Sequence, residues 1–491
     1  VLLRTATPLP GITDTNGVED LLVRDLVAGT NLVVTVNAAG TATAAGAALD
    51  GALSRDGRFV AWASAAPDVT AEGSGGRLQV FVRDLAAGVT RLASRKTDGG
   101  PGGGASRRPT LTPDGGLVAF ESDAGLASGA GSTLAVYVWE RATGVVGAAS
   151  GPVVPPGAPV SITENAYHPA FDPAGRHLVY DFGGTTATAR TAARVVAWRV
   201  ADGMRFVLST NVGSWGAGQI QPPVTPAFSA DGRRGVFRQG KGQDLGVAGH
   251  DFEAASSLFW VGRSAHAPAL SGDGLVTAWR GNADTGDYGP IVWERIGTGE
   301  RREITPPGAD GRNGSGVAPV LSPDGRFVAF LSRGTNLVTG DTDPAADLFL
   351  HDTVTGETTR LSGPGRGADL HRPVASLVGG ADGGTLLFAT SRGLAVDDLD
   401  DAPDAYLLRF PAAGSGFRVT TITRAATGEV TLAWPAEAGR TYAVEFRADF
   451  AGAPGWQALG VTPQVADGTA TAVDAGAAGQ PRRFYRVVEQ P

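Results

Sequence analysis

Residues 318–362, APVLSPDGRFVAFLSRGTNLVTGDTDPAADLFLHDTVTGETTRLS, contain four short apolar runs separated by turn-forming residues. The first run ends in Ser-Pro-Asp-Gly at Ser322–Gly325, where Pro presets φ and Gly tolerates positive φ, so a tight turn is predicted. The runs that follow, FVAFL, DLFLH and TTRL, are rich in strand-forming residues. Four strands joined by hairpins form one antiparallel sheet, which cannot bury its two faces alone.

The same unit recurs along the chain at intervals of roughly 40 to 60 residues, as expected of a repeat protein. Each turn is followed by a short apolar run such as FVAWAS, LVAFES or LLFAT. Four-stranded sheets repeated radially are typical of a β-propeller. We therefore predict an all-β fold with an eight-bladed β-propeller, and seven blades as the alternative. The Asp-Gly turn or its variant occurs at Asp56, Asp114, Asp172, Asp231, Asp273, Asp324 and Asp382.

Four stretches follow one pattern, P-x-[LF]-[ST]-x-D-G. They are PVLSPDGRFVAF from Pro319, PTLTPDGGLVAF from Pro109, PAFSADGRRGVF from Pro226 and PALSGDGLVTAW from Pro268. This pattern resembles the WD40-like β-propeller repeat of bacterial TolB-type proteins, and the resemblance covers most of residues 1–410. It implies the propeller fold. The family includes pore-complex partners, enzyme appendages and binding modules, so the resemblance implies no single function.

The pattern changes from Phe417, where the Asp-Gly repeat stops and runs such as EVTLAW and TYAVEFRA alternate apolar and polar residues. We predict a propeller over residues 1–412 and a separate small β-sandwich over residues 417–491. The second region resembles the fibronectin-type-III-like C-terminal modules of bacterial secreted proteins. We interpret its aromatic residues as core, with an exposed sugar- or peptide-binding role as the alternative. They are Trp434, Tyr442, Trp456, Phe484 and Tyr485.

Composition excludes several classes of function. The formal net charge of −8 and the lack of a basic cluster argue against nucleic-acid binding. No apolar run reaches the ~18 residues that a membrane helix needs. The absence of cysteine excludes disulfides, thiolate chemistry and Cys-based zinc sites. The chain begins at Val1 inside a predicted second strand of a repeat, so we expect either a cleaved leader or further residues upstream.

A recurring acidic loop, D-x-[DN]-x-x-x-D, precedes the third strand in three repeats. One interpretation is a Ca²⁺ site, because flexible acidic loops supply the oxygen ligands that Ca²⁺ prefers. The other is a turn in which Asp and Asn bond to their own backbone. Ca²⁺ is the only cofactor that we consider. The predicted metal ligands are Asp14, Asn16, Asp20, Asp341, Asp343, Asp347, Asp398, Asp400 and Asp404.

A second set of acidic residues ends the third strand of several repeats, and a Gly follows four or five residues later, which indicates hairpin turns. These residues are Asp25, Asp84, Asp352, Glu140 and Glu294. The six histidines show no metal-binding spacing, and we expect His351 and His371 at a solvated surface. No nucleophile elbow is present, so we predict no catalytic residues and no enzyme activity.

Long, Gly- and Pro-rich connectors are predicted on one face of the propeller, and tight hairpins on the other. We expect the long-loop face to bind a protein or glycan partner, because binding residues concentrate on such loops. The leading hypothesis is thus an exported bacterial, non-catalytic binding or scaffolding protein, located in the periplasm, at the cell surface or outside the cell. The alternatives are a self-assembling structural component of a cell surface, filament or matrix, and a secreted enzyme acting on polysaccharide or peptide.

Overall fold

The computed structural model describes most of the chain, and the regular elements of its described residues are β-strands, apart from one short 3₁₀ helix. The described residues are 1–7, 11–14, 16–127, 134–150, 165–183, 193–212, 226–239, 246–261, 266–281, 290–305, 319–332, 334–339, 341, 347–361, 376–378, 385–390, 404–409, 421–436, 441–447, 457–466, 468–478 and 483–490. In these ranges there is no helix with the length and apolar character needed to cross a membrane.

Eight successive antiparallel sheets, numbered here one to eight, occupy the described part of residues 1–409. Sheet one contains β1 (Leu2–Thr5), β2 (Asp20–Arg24) and β3 (Asn31–Val33). Sheet two contains β4 (Ala48–Leu53), β5 (Phe59–Ser64), β6 (Gln79–Asp84) and β7 (Val89–Leu92). Sheet three contains β8 (Ser106–Leu111), β9 (Leu117–Ser122), β10 (Ala135–Glu140) and β11 (Val146–Ala148). Sheets four and five contain β12 (Asn165–Phe171), β13 (His177–Gly183), β14 (Ala193–Arg199) and β15 (Arg205–Val212); and β16 (Ala227–Phe228), β17 (Arg234–Gln239), β18 (Gly246–Asp251) and β19 (Ser256–Val261).

The remaining three sheets repeat the arrangement. Sheet six contains β20 (His266–Leu270), β21 (Val276–Arg280), β22 (Ile291–Arg295) and β23 (Glu300–Glu303). Sheet seven contains β24 (Val320–Leu321), β25 (Phe327–Ser332), β26 (Asp347–Asp352) and β27 (Thr358–Arg360). Sheet eight contains β28 (Ser376–Val378), β29 (Thr385–Thr390) and β30 (Asp404–Arg409). Within each of these sheets every strand pairs with the next one along the chain, and first strands of neighbouring sheets touch, as β4 touches β8 and β8 touches β12. In the described residues six of the eight sheets have four strands, and the first and the eighth have three. This succession of antiparallel meanders is a β-propeller, as predicted, and the eight sheets match the predicted number of blades.

The second strands of sheets two and seven are buried because sheets pack on both of their faces. All six residues of β5 and all six of β25 are buried. One apolar cluster joins Phe59 of sheet two to Phe120 and Tyr137 of sheet three. The continuous apolar runs of the sequence, rather than strict alternation, reflect this double burial.

The repeated turn is closed by a hydroxyl side chain. Ser322 Oγ donates to Asp324 Oδ1 at 2.6 Å and accepts the Phe327 N–H at 2.8 Å, while Gly325 has φ of +70°. The same pair of bonds recurs in the turns that begin at Ser54, Thr112, Ser229 and Ser271. The pattern Ser-x-Asp-Gly therefore specifies the turn through its side chains as well as its glycine.

The chain divides into two compact units, Val1–Ala375 with Phe388–Tyr406, and Ser376–Leu387 with Leu407–Pro491. The predicted domain limits, 1–412 and 417–491, stay a prediction. The second unit contains seven further strands and a 3₁₀ helix at Ala475–Ala477 in its described residues. The strands are β31 (Thr421–Arg424), β32 (Val430–Pro435), β33 (Thr441–Arg447), β34 (Gln457–Ala458), β35 (Gln464–Ala466), β36 (Thr469–Asp474) and β37 (Phe484–Gln490). They form two sheets, of strand orders β31-β32-β36-β35 and β34-β33-β37.

These two sheets form the predicted small β-sandwich around one apolar core. Trp434 and Tyr442 are buried and meet edge to face, with ring centroids 6.0 Å apart. Tyr485 packs against the same core. The core interpretation of these three aromatic residues is confirmed, whereas Trp456 and the side chain of Phe484 lie outside the described residues. The resemblance to a fibronectin-type-III-like module stays a prediction.

Candidate ligand-binding site

The first strands of four sheets share an irregularity that sequence analysis did not predict. Asp50, Arg108, His168 and Ala267 have φ of 50° to 53°, a region that side-chain-bearing residues rarely adopt. Each lies at a register shift in its strand, on β4, β8, β12 and β20. Such bulges redirect side chains and are frequent near binding sites. All four lie towards the end of the sheet opposite the Asp-Gly turn, where the long connectors join.

Glu121 is the centre of a charged group at these bulges. It lies on β9 opposite Arg107, and its side chain is 0% exposed. Arg107 Nε and Arg108 Nη1 each lie 3.2 Å from its carboxylate. The backbone N–H of His168, in the next sheet, donates to Glu121 Oε1 at 2.7 Å. One buried carboxylate therefore binds two guanidinium groups and links sheets three and four.

The neighbouring sheets continue this polar group. Asp181 has the same position on β13 as Glu121 on β9, and its Oδ2 lies 2.9 Å from His168 Nδ1. Asp50 Oδ2 accepts the Arg108 N–H at 3.2 Å, which links sheets two and three. We define the inner-strand cluster as Asp50, Arg107, Arg108, Glu121, His168 and Asp181.

One sequence signal could have located this cluster. In sheets two to seven, the residue after the buried aromatic side chain of the second strand occupies this position. It is uncharged in sheets two and seven, acidic in sheets three and four, and basic in sheets five and six. The residues are Ala63, Glu121, Asp181, Arg238, Arg280 and Leu331.

The first predicted metal loop is filled by protein hydrogen bonds. Asn16 Nδ2 donates to Asp20 Oδ2 at 3.0 Å, and Thr35 Oγ1 donates to Asp20 Oδ1 at 2.6 Å. Thr43 Oγ1 donates to Asp14 Oδ1 at 3.2 Å. Burial raises the pKa of Asp20, an effect that these donors oppose. The loop thus joins Asp14, Asn16 and Asp20 through hydroxyl and amide donors.

A comparison with the next sheet shows that this position needs no charge. Gln79 begins β6 as Asp20 begins β2, and Ser94 Oγ donates to Gln79 Oε1 at 2.6 Å as Thr35 does to Asp20. A neutral amide therefore fulfils the same structural role. This favours the turn interpretation for the acidic residue at the start of the third strand.

The second predicted loop contains a cation from the protein itself. Arg360 Nη1 donates to Asp341 Oδ1 at 3.0 Å, and Arg360 Nη2 lies 3.0 Å from Asp347 Oδ2. All three side chains are largely buried, with the arginine 12% exposed. Asp343, Asp398 and Asp400 lie outside the described residues, as does the side chain of Asp404. Within the described part of the chain, no three His, Asp or Glu side chains are grouped to hold a metal. Calcium binding stays a prediction.

The hairpin role of the second acidic set is confirmed at three positions. Asp25, Asp84 and Asp352 each accept two backbone N–H groups from the turn that follows. The bidentate Arg58 guanidinium, at 2.9 and 2.7 Å, lowers the pKa of Asp84 to about 2. These acids are structural.

The expectation for His351 was wrong. His351 is buried on β26, its Nδ1 lies 2.9 Å from Thr358 Oγ1, and burial lowers its pKa. The adjacent fourth strand of the sheet, β27, covers His351. The positions of the histidines in the sequence do not reveal this pairing between strands. His371 lies outside the described residues.

Comparison with known proteins gives only distant structural likenesses. No protein-family model matches the sequence, and no curated protein matches it. The fold is similar to that of TolB from Acinetobacter baumannii (16% identity, TM-score 0.31, 71% of this chain and 77% of that one). It is also similar to that of an oligogalacturonate lyase in complex with manganese (14% identity, TM-score 0.42, 79% of this chain and 96% of that one). A third similar structure is a prolyl endopeptidase (11% identity, TM-score 0.44, 79% of this chain and 54% of that one). At such TM-scores these likenesses do not indicate a function for this chain.

Proposed function

We propose that this β-propeller is a non-catalytic binding or scaffolding protein whose partner docks at the long-loop face, on the inner-strand cluster. One observation carries the proposal. Arg107 and Arg108 are 43% and 45% exposed, yet both are bound by the fully buried Glu121. A guanidinium that is fixed on one side and open to solvent on the other presents N–H donors with little entropy left to lose on binding.

The chemistry of the cluster suits a protein or glycan surface rich in oxygen acceptors. Arginine donates through a planar fork that matches carboxylates and accepts no hydrogen bonds itself. Asp50 and Asp181 alternate with the basic groups along successive sheets, so the surface carries both signs of charge. Such patterns select partners by electrostatic complementarity.

Binding to arrays of soluble glycans and peptides tests this proposal. The double variant Arg107→Ser/Arg108→Ser should lose at least tenfold in affinity for any partner that the wild type binds. Arg91→Ser, an exposed arginine on the outer strand β7, is the matched control and should retain affinity. If the double variant and Arg91→Ser bound the partner with equal affinity, the proposal would be contradicted. Turnover of an array component would favour the enzyme alternative, and ordered self-association in light scattering would favour the structural one.

We also propose that the protein is exported by a bacterium, as the repeat's resemblance to TolB-type repeats implies. Osmotic-shock fractionation of the native host, with an antibody against the chain, tests this separately. The expected location is the periplasm, the cell surface or the medium. Recovery with cytoplasmic markers would contradict export and leave the binding proposal standing.

A further inference from the structure

His168 is the histidine of the inner-strand cluster, and two hydrogen bonds fix it. Its backbone N–H donates to Glu121 Oε1 at 2.7 Å, and its Nδ1 lies 2.9 Å from Asp181 Oδ2. Its φ of +53° lies in a region that histidine adopts more readily than most side-chain-bearing residues do. The side chain is 14% exposed. The imidazole therefore has a fixed orientation and still reaches solvent.

The two ring nitrogens of His168 have different roles. A carboxylate only accepts hydrogen bonds, so in the neutral imidazole we assign the proton to Nδ1, where it is donated to Asp181. Nε2 then carries a lone pair, and it makes no hydrogen bond to any residue within the described ranges. His168 thus offers the cluster an acceptor, which its arginines cannot do.

Arginine donors lie beside this acceptor. Arg108 Nη1 and the His168 N–H both contact the same oxygen, Glu121 Oε1, at 3.2 and 2.7 Å. The three carboxyl groups of the cluster outnumber its two guanidinium groups, so it has no excess of positive charge that would favour an anion. Donors and an acceptor without excess positive charge suit a neutral group that both donates and accepts, and a hydroxyl is such a group.

We propose that His168 and Arg108 form a hydroxyl-binding subsite of the inner-strand cluster, and that the ligand is a neutral glycan. Hydroxyls of the ligand donate to His168 Nε2 and accept from the Arg108 guanidinium. Tyr167 is half-buried, with its ring centroid 6.0 Å from that of His168, and adds an apolar surface against which the C–H face of a sugar can pack. The inference rests on the proposed binding function and decides between its two classes of partner.

Isothermal titration of the full chain with cellohexaose, xylohexaose, maltohexaose and a hexaglutamate peptide tests the class of ligand. At least one hexaose should bind with a millimolar or lower Kd, and hexaglutamate should bind more weakly. His168→Asn should weaken the binding of that hexaose about tenfold, as expected for the loss of one hydrogen bond.

The variant is chosen to leave the backbone as it is. Asparagine tolerates positive φ and keeps the N–H that binds Glu121, but its side chain is too short to place an acceptor where His168 Nε2 lies. His250→Gln, on β18 next to the hairpin that follows that strand, is the control and should bind the hexaose as the wild type does.

Labelling with diethyl pyrocarbonate, followed by peptide mapping, tests the subsite in the wild type and so needs no variant to fold. The reagent acylates imidazole nitrogens that are open to solvent. His168 should be labelled in the free protein and protected by the bound hexaose, whereas the labelling of the other histidines should not change.

The outcomes separate this inference from the proposed function. Binding of hexaglutamate that is lost in Arg107→Ser/Arg108→Ser, with no hexaose bound, would overturn the glycan subsite and leave the proposed function intact. Equal binding of a hexaose by wild type and His168→Asn, or a His168 that the hexaose does not protect, would also overturn it. If none of the four probes binds, the subsite is wrong, and the glycan and peptide arrays decide the proposed function separately.

Discussion

Gly325 of sheet seven lies against Val276 of sheet six. A methyl group built on Gly325 would lie 2.6 Å from Val276 Cβ, and Trp293 Nε1 donates to Gly325 O at 3.3 Å. The same close approach occurs between neighbouring sheets at Gly115 and Phe59, where the distance would be 2.5 Å. The Asp-Gly turn therefore does more than reverse the chain: it also packs one sheet on the preceding one.

We expect Gly325→Ala to lower the free energy of unfolding by more than its backbone conformation alone predicts. A positive φ disfavours alanine by ~1 kcal/mol. The clash with Val276 adds ~1–3 kcal/mol, because a packed core resists an extra methyl group. Gly325→Val should lower the free energy of unfolding by at least as much as Gly325→Ala does. Urea unfolding measures the change.

Gly57 supplies the matched control. It occupies the same turn in sheet two with φ of +73°, and a methyl group there would meet nothing within 4 Å. Gly57→Ala should thus lose only the conformational part. Equal losses at Gly57 and Gly325 would show that the turn is not a packing contact between sheets.

Glu121→Ala should destabilise the propeller by about 1–3 kcal/mol, because the Arg107 and Arg108 guanidiniums and the His168 N–H lose their shared acceptor. Glu121→Gln keeps an acceptor oxygen and should lose less. Glu140→Gln, at an exposed hairpin, should be close to neutral. Thermal unfolding of the three variants checks the order, and a neutral Glu121→Ala would mean that the cluster is not a structural link.

Arg58→Gln should raise the pKa of Asp84 from about 2 towards its ordinary value of 3.8, because the Arg58 guanidinium is the main cause of the lowered pKa. A carboxyl group whose pKa is lowered by folding stabilises the folded state above its unfolded pKa. That contribution is lost as the pH falls through the folded value, here between about 4 and 2. NMR titration of the carboxyl carbons measures the shift.

Asp25 is the internal reference for this titration. Its pKa is lowered mainly by the Ala28 and Val27 backbone N–H groups, not by an arginine fork. Its titration should be the same in wild type and Arg58→Gln. An unmoved Asp84 in the variant would assign its low pKa to the hairpin N–H groups instead.

Local patterns predicted the strands well, because each repeat carries its own turn chemistry and apolar run. The FVAFL run became β25, and the DLFLH run became β26. The inner-strand bulges were missed because positive φ at Arg108 and His168 depends on contacts between sheets. One local sign was present: Pro109 and Pro169 follow these residues, and a residue before proline is disfavoured in the right-handed helical region.

The chemistry of the acidic loops was the least predictable part. The sequence shows carboxylates close together at Asp341 and Asp347, but their partner, Arg360, lies on the fourth strand of the same sheet. Pairing between strands brings it to the loop, and no spacing rule within the loop indicates it. In the first loop, Thr35, which donates to Asp20, likewise lies outside the loop, just after β3.

Calcium binding by the acidic loops can be tested against the neutralising arginine. A metal that binds only the folded state stabilises it by ~2.7 kcal/mol per site at 100 times its dissociation constant. In the seventh sheet Arg360 already pairs with two of the predicted ligands, so a metal there must compete with the guanidinium. We therefore expect millimolar Ca²⁺ to raise the unfolding midpoint of Arg360→Gln more than that of the wild type, relative to chelator.

Asp343→Ala separates a metal effect from a general salt effect. Combined with Arg360→Gln, it removes a predicted ligand and should abolish the calcium response, whereas Mg²⁺ at the same concentration controls for ionic strength. Asp20→Asn tests the first loop in the same way, since Gln79 shows that an amide oxygen can accept the hydrogen bond that Ser94 Oγ donates at the equivalent position. If neither wild type nor Arg360→Gln responds to Ca²⁺, the loops are turns held by arginine and hydroxyl donors, and the metal prediction is wrong.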